Sequence, residues 1–95
     1  MSDHHFVYIL ESSDGKYYTG YTTDLERRMQ QHQNGTGAKF TRGFGFKRLL
    51  YNETHPTKSE ALQREAHLKR LSRTQKEMLI RNNRGLSFDN NKDLG

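Results

Sequence analysis

Phe6-Val7-Tyr8-Ile9-Leu10, then Ser12-Ser13-Asp14-Gly15-Lys16, then Tyr17-Tyr18-Thr19-Gly20-Tyr21-Thr22: the reading of this stretch decides the fold. The first run is short, apolar and rich in β-forming residues, the second has turn composition, and the third is again β-prone, so a β-hairpin is expected. Its loop length fixes which side chains can meet. If Asp14-Gly15 formed a two-residue turn, Tyr8 would face Tyr21 and Tyr18 would lie on the opposite face of the sheet. With a three-residue loop Ser13-Asp14-Gly15, and Gly15 in the left-handed conformation of a bulge, Tyr8 lies opposite Gly20 and shares a face with Tyr18. The second register is the expected one, and Gly20, lacking a side chain, is expected to leave room beside the Tyr8 ring for a phosphate.

The remaining elements follow in order. Thr23-Asp24-Leu25-Glu26 has capping-box spacing and opens a helix that should run to about residue 33 and stop at Asn34-Gly35. Residues 35–46 are a glycine-rich loop carrying Lys39, Phe40, Arg42, Phe44 and Phe46. A third strand is expected over 48–53, ended by Pro56-Thr57. Thr57-Lys58-Ser59-Glu60 repeats the capping-box spacing and opens a second helix to about residue 71, and a last helix is expected over about 75–82. The order β-β-α-β-α-α implies an α+β fold, a small three-stranded antiparallel sheet flanked by helices. One domain over residues 5–84 is expected, with 85–95 polar, aromatic-poor and disordered.

Composition narrows the function classes. With 31% hydrophobic residues the core must be small. The chain has no cysteine, which excludes disulfides, thiolate nucleophiles and cysteine-held zinc. No run approaches the roughly 20 apolar residues of a membrane span, and no secretory leader opens the sequence, so no membrane partner and a cytoplasmic location are expected. The net charge of +5 is unevenly spread: residues 36–84 hold twelve basic against four acidic side chains, while residues 1–35 hold three against five. A basic surface of that kind suits a polyanion, and nucleic acid is the commonest one.

Helical phase then separates neighbouring charges. With Leu25 at zero and 100° per residue, Arg28 falls at about 300° and His32 at about 340°, on the apolar side, whereas Arg27 falls at about 200°. A guanidinium turned toward a sheet either meets an anion, and can then fork two donors onto a phosphate, or packs its stem while its head reaches solvent. With Ala61 at zero, Glu65 lies at about 40°, in the apolar stripe with Leu62 and Leu68, while Glu60 does not. A carboxylate placed there needs a cation: Lys69 one turn later, Arg28, or a divalent metal.

These residues together resemble the GIY-YIG nuclease superfamily, and within it the small stand-alone UPF0213 type. Phe6-Val7-Tyr8 is similar to the first motif and Tyr18-Thr19-Gly20 to the second, with Thr19 in place of its isoleucine. Asp24-Leu25-Glu26-Arg27-Arg28 with His32 resembles the helix that carries the family's arginine and histidine, and Arg64-Glu65 its metal-binding glutamate segment. Gly37-Ala38-Lys39-Phe40-Thr41-Arg42 is typical of the stand-alone branch. The resemblance implies a metal-dependent endonuclease acting on nucleic acid, with DNA the expected substrate. Its catalytic set would be Tyr8, Tyr18, Arg28, His32 and Glu65, and Glu65 would hold Mg2+ or Mn2+. Lys39, Arg42, Lys47 and Lys69 are the candidates for phosphate contacts outside the site.

Two other readings compete. A catalytically degenerate module of the same fold could bind nucleic acid or protein without cutting. An RNA-recognition domain is suggested by Arg42-Gly43-Phe44-Gly45-Phe46 and Val7-Tyr8-Ile9, but Lys47-Arg48-Leu49 breaks the end of that motif and a second strand follows where a helix belongs.

Overall fold

A computed structural model describes residues 4–36 and 43–84. Strands β1 (His5–Glu11) and β2 (Tyr17–Thr22) are followed by helix α1 (Leu25–Gln33), strand β3 (Arg48–His55), and helices α2 (Lys58–Lys69) and α3 (Arg73–Arg84). The sheet is three-stranded and antiparallel, as the sequence predicts, and its strand order is β2-β1-β3. The expected tail, residues 85–95, lies outside the described residues. No helix among the described residues is long and apolar enough to cross a membrane.

β1 is the central strand and is covered on both sides, so Val7, Tyr8, Ile9 and Leu10 are all fully buried. That is why its sequence is an unbroken apolar run rather than an alternation. Val7 and Ile9 turn to one face and form the core with Tyr51, Ala61, Leu68 and Ile80. Tyr8 and Leu10 turn to the other face. A bulge between β1 and β3, where Ile9 pairs with Tyr51 but Leu10 with Leu49, leaves Leu50 as the extra residue and lets it pack against the same core.

The hairpin adopts the three-residue loop. Ser12 N donates to the Lys16 carbonyl (2.8 Å), Gly15 N donates to the Ser12 carbonyl (3.0 Å), and Gly15 sits at φ 89°. Tyr8 therefore pairs with Gly20 and Leu10 with Tyr18. On the opposite face, Thr19 is 3% exposed, and its hydroxyl has no hydrogen-bond partner among the described residues. A buried hydroxyl without a partner costs about 1–3 kcal/mol. Thr19→Val is expected to stabilise the fold by about 1 kcal/mol, read as a higher midpoint in urea.

Two helix starts differ from expectation. The cap of α1 is Asp24, whose carboxylate accepts from Arg27 N (3.1 Å), and not Thr23. Thr22 accounts for the shift: its hydroxyl takes the Asp24 amide (3.1 Å), and a carboxylate at the positive end of a helix is a stronger cap than threonine. α3 begins at Arg73, earlier than predicted, because Ser72 and Gln75 form a reciprocal capping box: Gln75 N donates to Ser72 Oγ (3.1 Å) and Ser72 N to Gln75 Oε1 (2.9 Å). Thr57 caps α2 as expected, accepting from Glu60 N (3.1 Å).

One polar cluster joins β3 to α2. Glu53 accepts from Arg64 Nε (2.8 Å), contacts His55 Nε2 (2.6 Å) and receives the Tyr51 hydroxyl. Burial works to raise the Glu53 pKa, but the hydrogen bonds from Tyr51, His55 and Arg64 and the Arg64 charge outweigh it and hold the carboxyl below its usual value. A depressed carboxylate pKa favours the fold above the unfolded value of about 4.5, and that contribution fades as pH falls through the lower folded value. Glu53→Gln is expected to cost about 2 kcal/mol at pH 7 and to flatten the acid limb of the stability profile, measured by urea unfolding between pH 3 and 7.

Candidate active site

The site is assembled on the Tyr8 face of the sheet. Its first component is local: α1 ends in a Schellman motif, with Gly35 N donating to the His32 carbonyl (3.2 Å), Thr36 N to the Gln31 carbonyl (2.8 Å), and Gly35 at φ 80°. This termination fixes the last turn of α1, from which the His32 ring enters the protein interior and is 1% exposed. Its Nε2 lies 3.0 Å from the Tyr8 hydroxyl. The Tyr8 and Tyr18 rings meet the imidazole edge-on, with centroids at 5.8 and 5.7 Å, and lie 6.3 Å from each other.

Arg28, one turn earlier on α1, reaches the same hydroxyl. Burial pushes the Tyr8 phenol up to about 12, and the neighbouring Tyr18 phenol adds to this. The Arg28 guanidinium, by charge and by hydrogen bond, pulls the other way, and the Glu65 carboxylate adds a smaller upward push. Burial lowers the His32 pKa from its usual 6.5, and the Arg28 charge lowers it further. The imidazole is therefore neutral at pH 7, while the Tyr8 phenol keeps its proton.

Gln31 was not among the residues expected from sequence. It accepts from Arg28 Nε (3.1 Å) and so orients the guanidinium from the next turn of its own helix. Its only sequence signal is the three-residue spacing to Arg28. Beside Arg28 lies a polar hollow of about 160 Å³, lined by Thr22, Thr23, Asp24, Arg27, Arg28 and Gln31. At about 30 Å³ per molecule it is large enough for several waters. Arg27 is exposed, as its helical phase requires, yet it borders this hollow.

Gly20 corrects one expectation. A Cβ built at this position would fall 2.5 Å from the Tyr8 hydroxyl oxygen and 3.0 Å from the Tyr18 ring. The space beside the missing side chain is filled by Tyr8 itself rather than left open for a phosphate. The glycine is needed so that the two phenols can fold over the β2 backbone.

Glu65 projects from α2 with 18% of its side chain exposed, and its Oε2 lies 3.3 Å from Lys69 Nζ. The ordinary ion-pair partner considered from sequence is thus the one observed. The apolar stripe around it is narrower than expected: Ala61 and Leu68 are buried, but Leu62 is 40% exposed. Among the described residues no group of three or more acidic, histidine or cysteine side chains could enclose a metal. This donor set fits only a cation held largely by water and by substrate, with one protein carboxylate.

Of the four proposed phosphate contacts, Lys39 and Arg42 lie outside the described residues. Lys47 is exposed at the entry to β3, and Lys69 is engaged with Glu65. Phe46, which the sequence placed only in the glycine-rich loop and in the RNA-recognition reading, stacks on His32 with ring centroids 6.2 Å apart and planes 16° from parallel.

Comparison with known proteins bears on the fold and the family. The family model for the GIY-YIG catalytic domain matches residues 4–78. A UPF0213 protein of Halobacterium salinarum is 55% identical over 76 residues, covering 80% of this chain and 99% of the relative. The solution structure of a UPF0213 protein from Bacillus halodurans has 52% sequence identity and a TM-score of 0.53, covering 81% of this chain and 82% of the other. That of an Enterococcus faecalis protein (E. faecalis EF2693) has 41% identity and a TM-score of 0.56, covering 86% and 90%. With the motif tyrosines gathered on one sheet face and the family model spanning most of the chain, this protein belongs to the GIY-YIG nuclease family, among its small UPF0213 members.

Proposed function

We propose that the domain is a metal-dependent endonuclease that hydrolyses phosphodiester bonds in nucleic acid, with DNA as its substrate. The observation that carries this reading is the convergence of His32 Nε2 and the Arg28 guanidinium on the hydroxyl of fully buried Tyr8. A phenol with a pKa of about 12 does not ionise at neutral pH, so Tyr8 can take a proton from an attacking water only if it passes its own on. Neutral His32, in the tautomer that leaves Nε2 free of hydrogen, accepts it at 3.0 Å. Tyr18, on the same sheet face, orients the water or the phosphate. Arg28, held by Gln31, offsets the charge that grows on the phosphoryl oxygens. Glu65 would hold Mg2+ or Mn2+ together with water and a phosphate oxygen, and such an ion supplies Lewis-acid stabilisation of the leaving oxygen. Lys69 must release Glu65 for that role and can then turn to a phosphate, as Lys39, Arg42 and Lys47 would.

The Glu65–Lys69 ion pair favours a second reading, a module of the same fold that binds nucleic acid without cutting it. Incubation of the protein with single-stranded, duplex and branched DNA and with RNA, in Mg2+, Mn2+ or EDTA, separates the two. Metal-dependent cleavage supports the nuclease. Salt-sensitive binding without cleavage in any metal supports the binding module.

A further inference from the structure

The segment from Gly43 to Lys47 lies outside the GIY-YIG-like motifs, yet it is fastened to the hairpin at several points. Lys47 N donates to the Glu11 carbonyl (2.8 Å), and Lys16 Nζ lies 5.2 Å from the centre of the Phe44 ring. Gly45 takes φ 81°, and a Cβ there would fall 2.6 Å from Ser13 Oγ, so the backbone sits directly on the hairpin loop. Phe46 is thereby held on both sides, and its ring lies nearly parallel to the His32 imidazole. Two further rings against that imidazole among the described residues, Tyr8 and Tyr18, approach at 69° and 64° and carry hydroxyls. Among these three rings Phe46 is the hydrocarbon one. It offers no hydrogen bond, so what it contributes is shape and the exclusion of water.

We propose that Phe46 is a positioning residue for His32: it closes the imidazole pocket, fixes the plane of the ring so that Nε2 meets the Tyr8 hydroxyl, and keeps water from the ring face. The proposal rests on the nuclease reading for its catalytic consequence, but its structural content does not. Among the described residues, charged and titratable groups that face His32 include Tyr8 from β1, Tyr18 from β2 and Arg28 from its own helix, with Glu65 acting on Tyr8 from α2. None is altered by a change at Phe46. Burial is the first cause of the depressed His32 pKa, so opening this wall moves it back toward 6.5.

The test uses the whole chain with Phe46→Ala, Phe46→Leu and Phe46→Tyr, each checked for folding by circular dichroism. Nitrogen-detected imidazole NMR reads the titration and tautomer of His32 whether or not the protein cleaves anything. The expected result is an upward shift of the His32 titration in the Ala and Leu variants, loss of a single tautomer, and recovery of both in Phe46→Tyr. Where cleavage is measurable, kcat should fall about ten- to a hundredfold with KM little changed, and the acid limb of the rate profile should move to higher pH. Leu keeps the bulk and the fold if Ala does not. An unchanged His32 titration and tautomer in folded Leu or Ala variants overturns the proposal. A raised KM with unchanged kcat also overturns it, because Phe46 would then be a substrate contact. Absence of cleavage by the unaltered protein together with the expected NMR shifts defeats the nuclease reading alone.

Discussion

Gly20→Ala is expected to lower cleavage about a hundredfold and to destabilise the fold by about 1–3 kcal/mol. The methyl group would stand 2.5 Å from the Tyr8 hydroxyl oxygen and 2.6 Å from the ring carbon that bears it. A tyrosine on the surface would swing away at little cost. Tyr8 is fully buried, and its hydroxyl is held by His32 and Arg28, so relief of the overlap must break the His32 contact, bend β2, or both. Gly15→Ala is the control. It strains the backbone at φ 89° but its methyl meets nothing within 4 Å, so it should cost stability, about 1 kcal/mol, with the catalytic rate intact. Urea unfolding and single-turnover cleavage on both variants check the pair.

Arg28→Ala is expected to reduce kcat by about a hundred- to a thousandfold, the usual cost of removing one preorganised donor from a site where charge develops. Arg28→Lys should recover little of this. An ammonium cannot span Gln31, the Tyr8 hydroxyl and a phosphate as a planar fork does. The substitution also has a signature apart from rate. Without the guanidinium, one of the two causes that depress the His32 pKa disappears, so the His32 titration in Arg28→Ala should move up. The Tyr8 phenol, losing the cation that partly offsets its burial, should rise further.

Much of this site is legible in the sequence because two periodicities encode it. The side-chain period of a strand converts the loop length at Ser13-Asp14-Gly15 into the pairing of Tyr8 with Gly20. The helical period separates Arg28, which reaches Tyr8, from Arg27, which is exposed. What the sequence does not reveal depends on distances between segments. The Gly20 space could be read as vacant or filled with equal ease until the Tyr8 ring was placed over it. Phe46 sits among glycines and aromatics with no regular period, and only its fastening to Glu11 and the hairpin loop brings it to His32. Glu53, unremarkable as one acid in a strand, gains its role from Arg64, which lies across the sheet–helix boundary.

The proposed chemistry stands or falls on Glu65. Cleavage of a labelled single-stranded or duplex DNA by the wild-type chain and by Glu65→Gln, in Mg2+ or Mn2+ and in EDTA, should give metal-dependent products with the wild type and at least a hundredfold less with the variant, while salt-sensitive DNA binding is retained. Equal cleavage by the two proteins, or wild-type cleavage that survives EDTA, would contradict a metal-assisted reaction at this carboxylate.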